Sequence, residues 1–152
     1  NVMTQQLLLT LGKERMGIGS LDAGRAALAQ WWQMRWPAAD MPVVENGAGL
    51  SRQARISAQA LGRMLQGAWA SSVMPEFVSS MPISGMDGTL RRSKASANAH
   101  LKTGSLRDTN ALAGYVLGNS GQRYVLVAMV NHPNAGNARP VLDALVDWTA
   151  QD

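Results

Sequence analysis

The residues best equipped for chemistry stand side by side at Lys102-Thr103-Gly104. The Lys102 ammonium can stabilise a substrate carboxylate, and the Thr103 hydroxyl can donate to the same group. Gly104 removes a side chain where a substrate backbone must come close. The backbone N–H of the next residue, Ser105, can serve an oxyanion hole. The triplet alone is a weak signal, because three common residue types recur by chance. Alternation along a strand also sends Lys102 and Thr103 to opposite faces. Both reach one site only if Thr103 lies at a sheet edge or strand end.

Other candidates carry less. His100 and His132 stand apart, and neither belongs to a cluster with metal-ligand spacing. His100 precedes Lys102 by two residues and would share its strand face. Asp87, in Gly85-Met86-Asp87-Gly88, reads as a turn residue. Arg107 and Asp108 follow the triplet as either cleft-lining or solvated loop residues. The chain has no cysteine, which excludes thiol nucleophiles, disulfides and thiolate metal sites. Its net charge of +4 favours anionic partners in general. The basic residues are scattered, however, and the one cluster (Arg91, Arg92 and Lys94) lacks interleaved aromatics, which argues against a nucleic-acid surface.

The elements that must position the triplet can be read from periodicity. With 46% apolar and 16% charged residues over 152 positions, the chain has the composition of a globular unit with a real core, expected as one domain over 1–152. No apolar run approaches the roughly 20 residues needed to span a bilayer. Residues 2–11 read as a helix that Gly12 can stop. Ser20 can cap a second helix ending at Pro37, with Trp31, Trp32 and Trp36 requiring burial. Residues 40–52 are loop-like. Ser57 can cap a third helix with Leu61, Leu65, Ala68 and Trp69 on its buried stripe, and Pro75 can start a short one. Residues 82–98 read as a long surface segment.

The pattern then changes to strands at 100–103, 111–117 and 124–130, the last two joined by a turn at Asn119-Ser120-Gly121. The nearly continuous apolar run at 124–130 predicts a central strand covered on both faces. Pro140 starts a final helix with Val141, Leu142, Leu145, Val146 and Trp148 on its buried side. Helices first, then three strands and a final helix predict an α+β class with an antiparallel sheet flanked by helices. A sheet this thin is expected to need further chain against its other face.

Longer stretches around the triplet are more specific. The string His100-Leu101-Lys102-Thr103-Gly104-Ser105-Leu106, followed by Ala111-Leu112-Ala113-Gly114-Tyr115, resembles the penicillin-binding D-alanyl-D-alanine carboxypeptidase/endopeptidase family. So do Met81-Pro82-Ile83-Ser84-Gly85-Met86-Asp87-Gly88-Thr89-Leu90-Arg91 and Glu45-Asn46-Gly47-Ala48-Gly49-Leu50-Ser51-Arg52. The family usually has Asp and Ser where this chain has Asn46 and Ala48. The opening, Asn1-Val2-Met3-Thr4-Gln5-Gln6-Leu7-Leu8-Leu9, resembles the segment beginning at the Asn of the family's Ser-x-Asn motif. On that match Asn1 binds the substrate peptide carbonyl. Its chemistry equally suits a helix cap.

The resemblance implies the C-terminal portion of a penicillin-binding, serine β-lactamase-like transpeptidase domain. It implies a serine peptidase acting on peptidoglycan peptides that end in D-alanyl-D-alanine. Turnover would pass through an acyl-enzyme that β-lactams trap, with no metal or organic cofactor, in the periplasm or cell envelope. Lys102 and Asn1 would be catalytic, and Thr103, Gly104 and Ser105 would bind substrate. The family's nucleophile and base form a Ser-x-x-Lys motif, and no serine here has Lys three positions on: Ser93 is followed there by Ser96, and Ser105 by Asp108. The N-terminal remainder of the polypeptide is therefore expected to supply that motif, and these 152 residues alone are expected to be inactive. A serine β-lactamase-like hydrolase and a non-catalytic module that binds cell-wall peptides are the alternatives.

Overall fold

A computed structural model describes residues Asn1–Asp152. The chain resolves into two compact units, Asn1–Ala60 and Leu61–Asp152.

In the first unit, α1 (Val2–Met16) packs along α2 (Leu21–Arg35). The expected stop at Gly12 does not occur. Gly12 is buried, and a Cβ on it would sit 2.7 Å from the backbone nitrogen of Gly24. A Cβ on Gly24 would sit 2.5 Å from the carbonyl oxygen of Leu8. The two glycines let the helices cross in backbone contact, and that packing outweighs glycine's weak helix propensity of about 1 kcal/mol. The helix ends at Gly17, in a left-handed conformation with φ 78°, its N–H returning to Lys13. Ser20 caps α2 as expected, accepting from the Ala23 N–H at 3.2 Å. Of the three tryptophans expected to need burial, only Trp32 is buried, at 2% exposure, and Trp31 remains 37% exposed. Their rings stack edge-on or tilted with centroids 4.8–6.4 Å apart, so they bury one another.

α3 (Ala58–Trp69) starts where Ser57 accepts from the Ala60 N–H at 3.1 Å, and α4 (Met74–Ser79) starts with proline in its first turn. A single 3₁₀ turn, Gly88–Leu90, interrupts the following segment. That segment is not simply surface: Ser84, Leu90 and Ala95 are buried. β1 (Ala99–Leu106), β2 (Thr109–Leu117) and β3 (Arg123–Asn131) form an antiparallel sheet in the order β1-β2-β3, and α5 (Arg139–Thr149) follows.

The expected class is therefore observed, with two corrections to the sheet. β2 is the central strand, and β3 lies at an edge. β3 carries an apolar run from Val125 to Val130 because residues from both its faces enter the core. Leu126 joins Leu101, Leu112 and Val116 against Leu142, Val146 and Ala150 at the α5 end of the chain. Val125 and Val127 join Tyr115 against Leu61, Met64, Leu65, Trp69, Phe77 and Val78. Within these residues α3 and α4 cover part of the second face, where Val125 and Val127 stay half-buried. On α5 the buried stripe runs through Leu142, Asp143 and Val146, while Val141 and Trp148 are 68% and 69% exposed, off the i, i+4 row that meets the sheet.

Two features fix where β1 lies. Gly114 of β2 faces Leu101, and a Cβ there would sit 2.1 Å from the His100 carbonyl oxygen. Asp143 and Asp147, one turn apart on α5, hold the segment that feeds β1. Asp143 accepts from the Ser93 hydroxyl at 2.7 Å and the Lys94 N–H at 3.1 Å. Asp147 accepts from the backbone N–H groups of Ser96 and Ala97 at 2.7 and 3.0 Å.

The Asp143→Ala substitution should lower stability by about 1–3 kcal/mol, because it removes a buried carboxylate and leaves part-buried donors without their acceptor, and Asp147→Ala by less at its more exposed position. Urea unfolding monitored by circular dichroism measures both; equal, negligible losses would contradict the clamp. Tyr115 gives a pH prediction. Its phenol is 1% exposed and donates to the Leu65 carbonyl at 2.6 Å, and burial raises its pKa. The fold therefore prefers the neutral phenol. Its contribution is intact below the ordinary tyrosine value of about 10 and is lost as pH rises through the higher folded value. Tyr115→Phe should cost about 1 kcal/mol at neutral pH and flatten the alkaline fall in stability, as followed by unfolding at pH 8 to 11.

Candidate active site

Lys102-Thr103-Gly104 lies at the middle of β1, and the backbone alternation of that strand defines what it can do. Even-numbered residues pair with β2, in the register Lys102↔Ala113 and Gly104↔Ala111. Odd-numbered residues turn their N–H and C=O groups the other way. For the first half of the strand the segment at 82–84 meets them: Ser84 donates to the Ala99 carbonyl and Leu101 to the Pro82 carbonyl, both at 2.9 Å. The bridge ends at Ile83↔His100. Beyond it, the outward groups are those of Thr103 and Ser105, on the outer edge of an edge strand.

Lys102 and Thr103 leave the strand on opposite faces, and this placement sets how each meets the outer edge. The Lys102 side chain is exposed, and its ammonium reaches round to the Thr103 carbonyl oxygen at 2.6 Å. That oxygen faces outward, so the ammonium arrives at the edge despite its starting direction. The Thr103 hydroxyl lies 2.7 Å from that of Thr89. Gly104 is exposed, and a Cβ there would be in ordinary contact with Ala111 at 3.8 Å, so space on the sheet side is not what requires glycine. The outward N–H of Ser105 stands two residues beyond that of Thr103 on the same edge. The edge thus presents a cation, a hydroxyl and a directed N–H within one stretch of backbone.

Asn1 stands in the other unit, at the N-cap position of α1. It is exposed, and its side chain makes no capping hydrogen bond; the Thr4 hydroxyl and the Gln5 N–H contact its carbonyl instead. Capping therefore does not occupy the amide. Asn46, also in the first unit, is explained by its own loop: its Oδ1 accepts from the N–H groups of Ala48 and Gly49, both at 3.0 Å. A carboxylate at this position could make the same turn, so the change from Asp keeps the loop. Gly47 packs on α1 and donates to the Gln5 side chain at 2.9 Å.

The remaining candidates are structural. Asp87 accepts from the Ile83 N–H at 2.6 Å and closes the turn that its sequence suggested. Arg107 and Asp108 connect β1 to β2 as a two-residue hairpin, with the Asp108 carbonyl accepting from His132. The His132 ring accepts from the Asn134 N–H at 3.0 Å. His100 shares the sheet face of Lys102, and its Nδ1 is buried without a partner. Sequence reasoning missed Thr89. The stretch 81–91 pointed to the family, but a hydroxyl in a polar loop carries no periodicity that would single it out.

Comparison with known proteins follows the same lines. The sequence profile of the D-Ala-D-Ala carboxypeptidase 3 (S13) family matches residues 1–152. A D-alanyl-D-alanine carboxypeptidase from Actinomadura sp. is 27% identical over 147 residues, covering 91% of this chain and 27% of that protein. Penicillin binding protein 4 from Haemophilus influenzae, solved in complex with a β-lactam, superposes with a TM-score of 0.79 at 19% identity, over 96% of this chain and 38% of its own. A second structure of that protein gives a TM-score of 0.79 at 20% identity, over 96% and 37%. The chain thus spans well under half the length of these relatives. With the profile matched over residues 1–152 and the fold matched independently, the chain belongs to the D-Ala-D-Ala carboxypeptidase 3 (S13) family.

Proposed function

We propose that these residues form the substrate-edge part of a serine-type D-alanyl-D-alanine carboxypeptidase/endopeptidase that acts on peptidoglycan peptides in the cell envelope. The observation that carries this reading is the free outer edge of β1 at Thr103 and Ser105, with the Lys102 ammonium drawn to it. An extended peptide can add to such an edge by main-chain hydrogen bonds. The Thr103 hydroxyl then donates to the terminal carboxylate, and the Lys102 ammonium leaves its own strand's carbonyl for that anion, forming a charge-assisted contact. By its match to the family's Ser-x-Asn motif, Asn1 is assigned the role of binding a substrate peptide carbonyl, and its exposed amide is not taken up by capping.

The chemistry needs a nucleophile from outside residues 1–152, in a Ser-x-x-Lys segment. The lysine of that segment takes the proton as the serine oxygen attacks the penultimate D-alanyl carbonyl. Negative charge develops on the carbonyl oxygen, where the Ser105 N–H stabilises it. Collapse breaks the peptide bond, the leaving amine takes a proton, and D-alanine departs with its carboxylate. Water then hydrolyses the acyl-enzyme. A β-lactam would acylate the same serine, and its ring carboxylate would occupy the same cation and hydroxyl.

Two outcomes are expected. The 152-residue chain alone should form no covalent adduct with a fluorescent penicillin, whereas the complete protein should; a labelled band from the short chain would refute the division of roles. In the complete protein, Lys102→Ala should lower kcat/KM for release of D-alanine by on the order of 100-fold or more, the scale of removing one preorganised electrostatic partner. An unchanged rate would remove Lys102 from the site.

A further inference from the structure

We propose that Thr89 is a positioning residue that sets the direction in which the Thr103 hydroxyl donates. The inference rests on the reading of Thr103 as a donor to the substrate carboxylate. The two Oγ1 atoms lie 2.7 Å apart, although their residues are 14 positions apart in the chain, and the contact runs hydroxyl to hydroxyl.

A hydroxyl carries one proton and two lone pairs. Either hydroxyl can donate across this contact, and without a substrate Thr103 can give its proton to Thr89. When Thr103 turns its proton to a carboxylate, that hydrogen bond breaks and one to the carboxylate forms. The short contact survives if Thr89 rotates its own proton onto the vacated lone pair of Thr103. Donation from Thr89 then polarises Thr103 and strengthens its bond to the anion, as in any hydrogen-bonded chain ending on a charge. No covalent bond changes, and each hydroxyl keeps its proton.

Thr89 can act as a fixed reference because its loop is tied down on all sides. Its neighbour Leu90 is 1% exposed in the core beneath the sheet. The Leu90 N–H donates to the Asp87 carbonyl and the Gly85 N–H to the Leu90 carbonyl, both at 3.1 Å. The Asp87 carboxylate accepts from Ile83 at 2.6 Å, and Ile83 bridges to β1 at His100. Gly88 turns the chain with φ 51° immediately before Thr89. The loop is thus anchored in the core and on the same strand that carries Thr103, and the threonine contact closes the ring.

The test is a double-mutant cycle in the complete protein, on release of D-alanine from a peptide ending in D-alanyl-D-alanine. Thr89→Val keeps the shape and removes the hydroxyl. It should lower kcat/KM about three- to tenfold, the range for one hydrogen bond in a polar network. Thr89→Ser should restore the unsubstituted value. In a Thr103→Val background, Thr89→Val should have no further effect, because the hydroxyl it orients is gone. Equal losses in both backgrounds, or failure of Thr89→Ser to restore activity, would overturn the inference and leave Thr89 a structural residue. A different result sinks the underlying reading: no release of D-alanine by the unsubstituted protein, or a Thr103→Val variant as active as it.

Discussion

The backbone of β1 obeys a strict alternation: each residue that pairs with β2 is followed by one whose N–H and C=O point away. Four residues on the inner side are matched to Tyr115, Ala113, Ala111 and Thr109 of β2. The odd-numbered ones must find other partners or face outward. The segment at 82–84 supplies partners for Ala99 and Leu101 and stops there. Position along the strand therefore decides which backbone groups are paired and which face outward. One residue of register slip would exchange the roles of all these groups, turning Ser105 inward and Gly104 outward. The backbone contact of Gly114 with His100 resists such a slip, because no other residue in β2 lets the strands approach so closely there.

Support for this register comes from the two layers that sandwich the sheet. On one side α5 contributes Leu142, Val146 and Ala150, and on the other Tyr115 reaches Leu65 of α3. The carboxylates of α5 fasten residues 93–97 in the approach to β1. A site placed on an element held this way keeps its geometry better than one placed on a free loop. The chain's match to solved structures at about one-fifth identity fits that picture, since period, burial and register can persist while most side chains change.

Much of this was legible in the sequence, for identifiable reasons. Side-chain caps announced α2 and α3, prolines announced α4 and α5, and apolar runs set off by a turn announced the strands. The triplet and the blocks around it pointed to the family. What failed were inferences from single residues whose packing partner is remote. Gly12 reads as a stop until Gly24 is placed against it. Val141 and Trp148 read as core until the helical phase of α5 is fixed by Leu142 and Val146. The run at 124–130 reads as central because hydropathy reports coverage of faces and is blind to which edges are paired. The route of the Lys102 side chain to the strand edge and the meeting of Thr89 with Thr103 are tertiary facts with no local signature.

The outward-facing stretch at Thr103 and Ser105 also has a cost in the crowded company of other proteins. An unpaired strand edge invites any extended chain, including that of a second copy, and uncontrolled pairing of that kind leads to aggregates. The ammonium of Lys102 sits on the Thr103 carbonyl, where an intruding strand would need to donate its own N–H. A neutral backbone offers that cation only another carbonyl in exchange, whereas a free carboxylate offers it a charge-assisted bond. The same lysine therefore works against pairing at this edge, as charged side chains do on exposed strand edges generally.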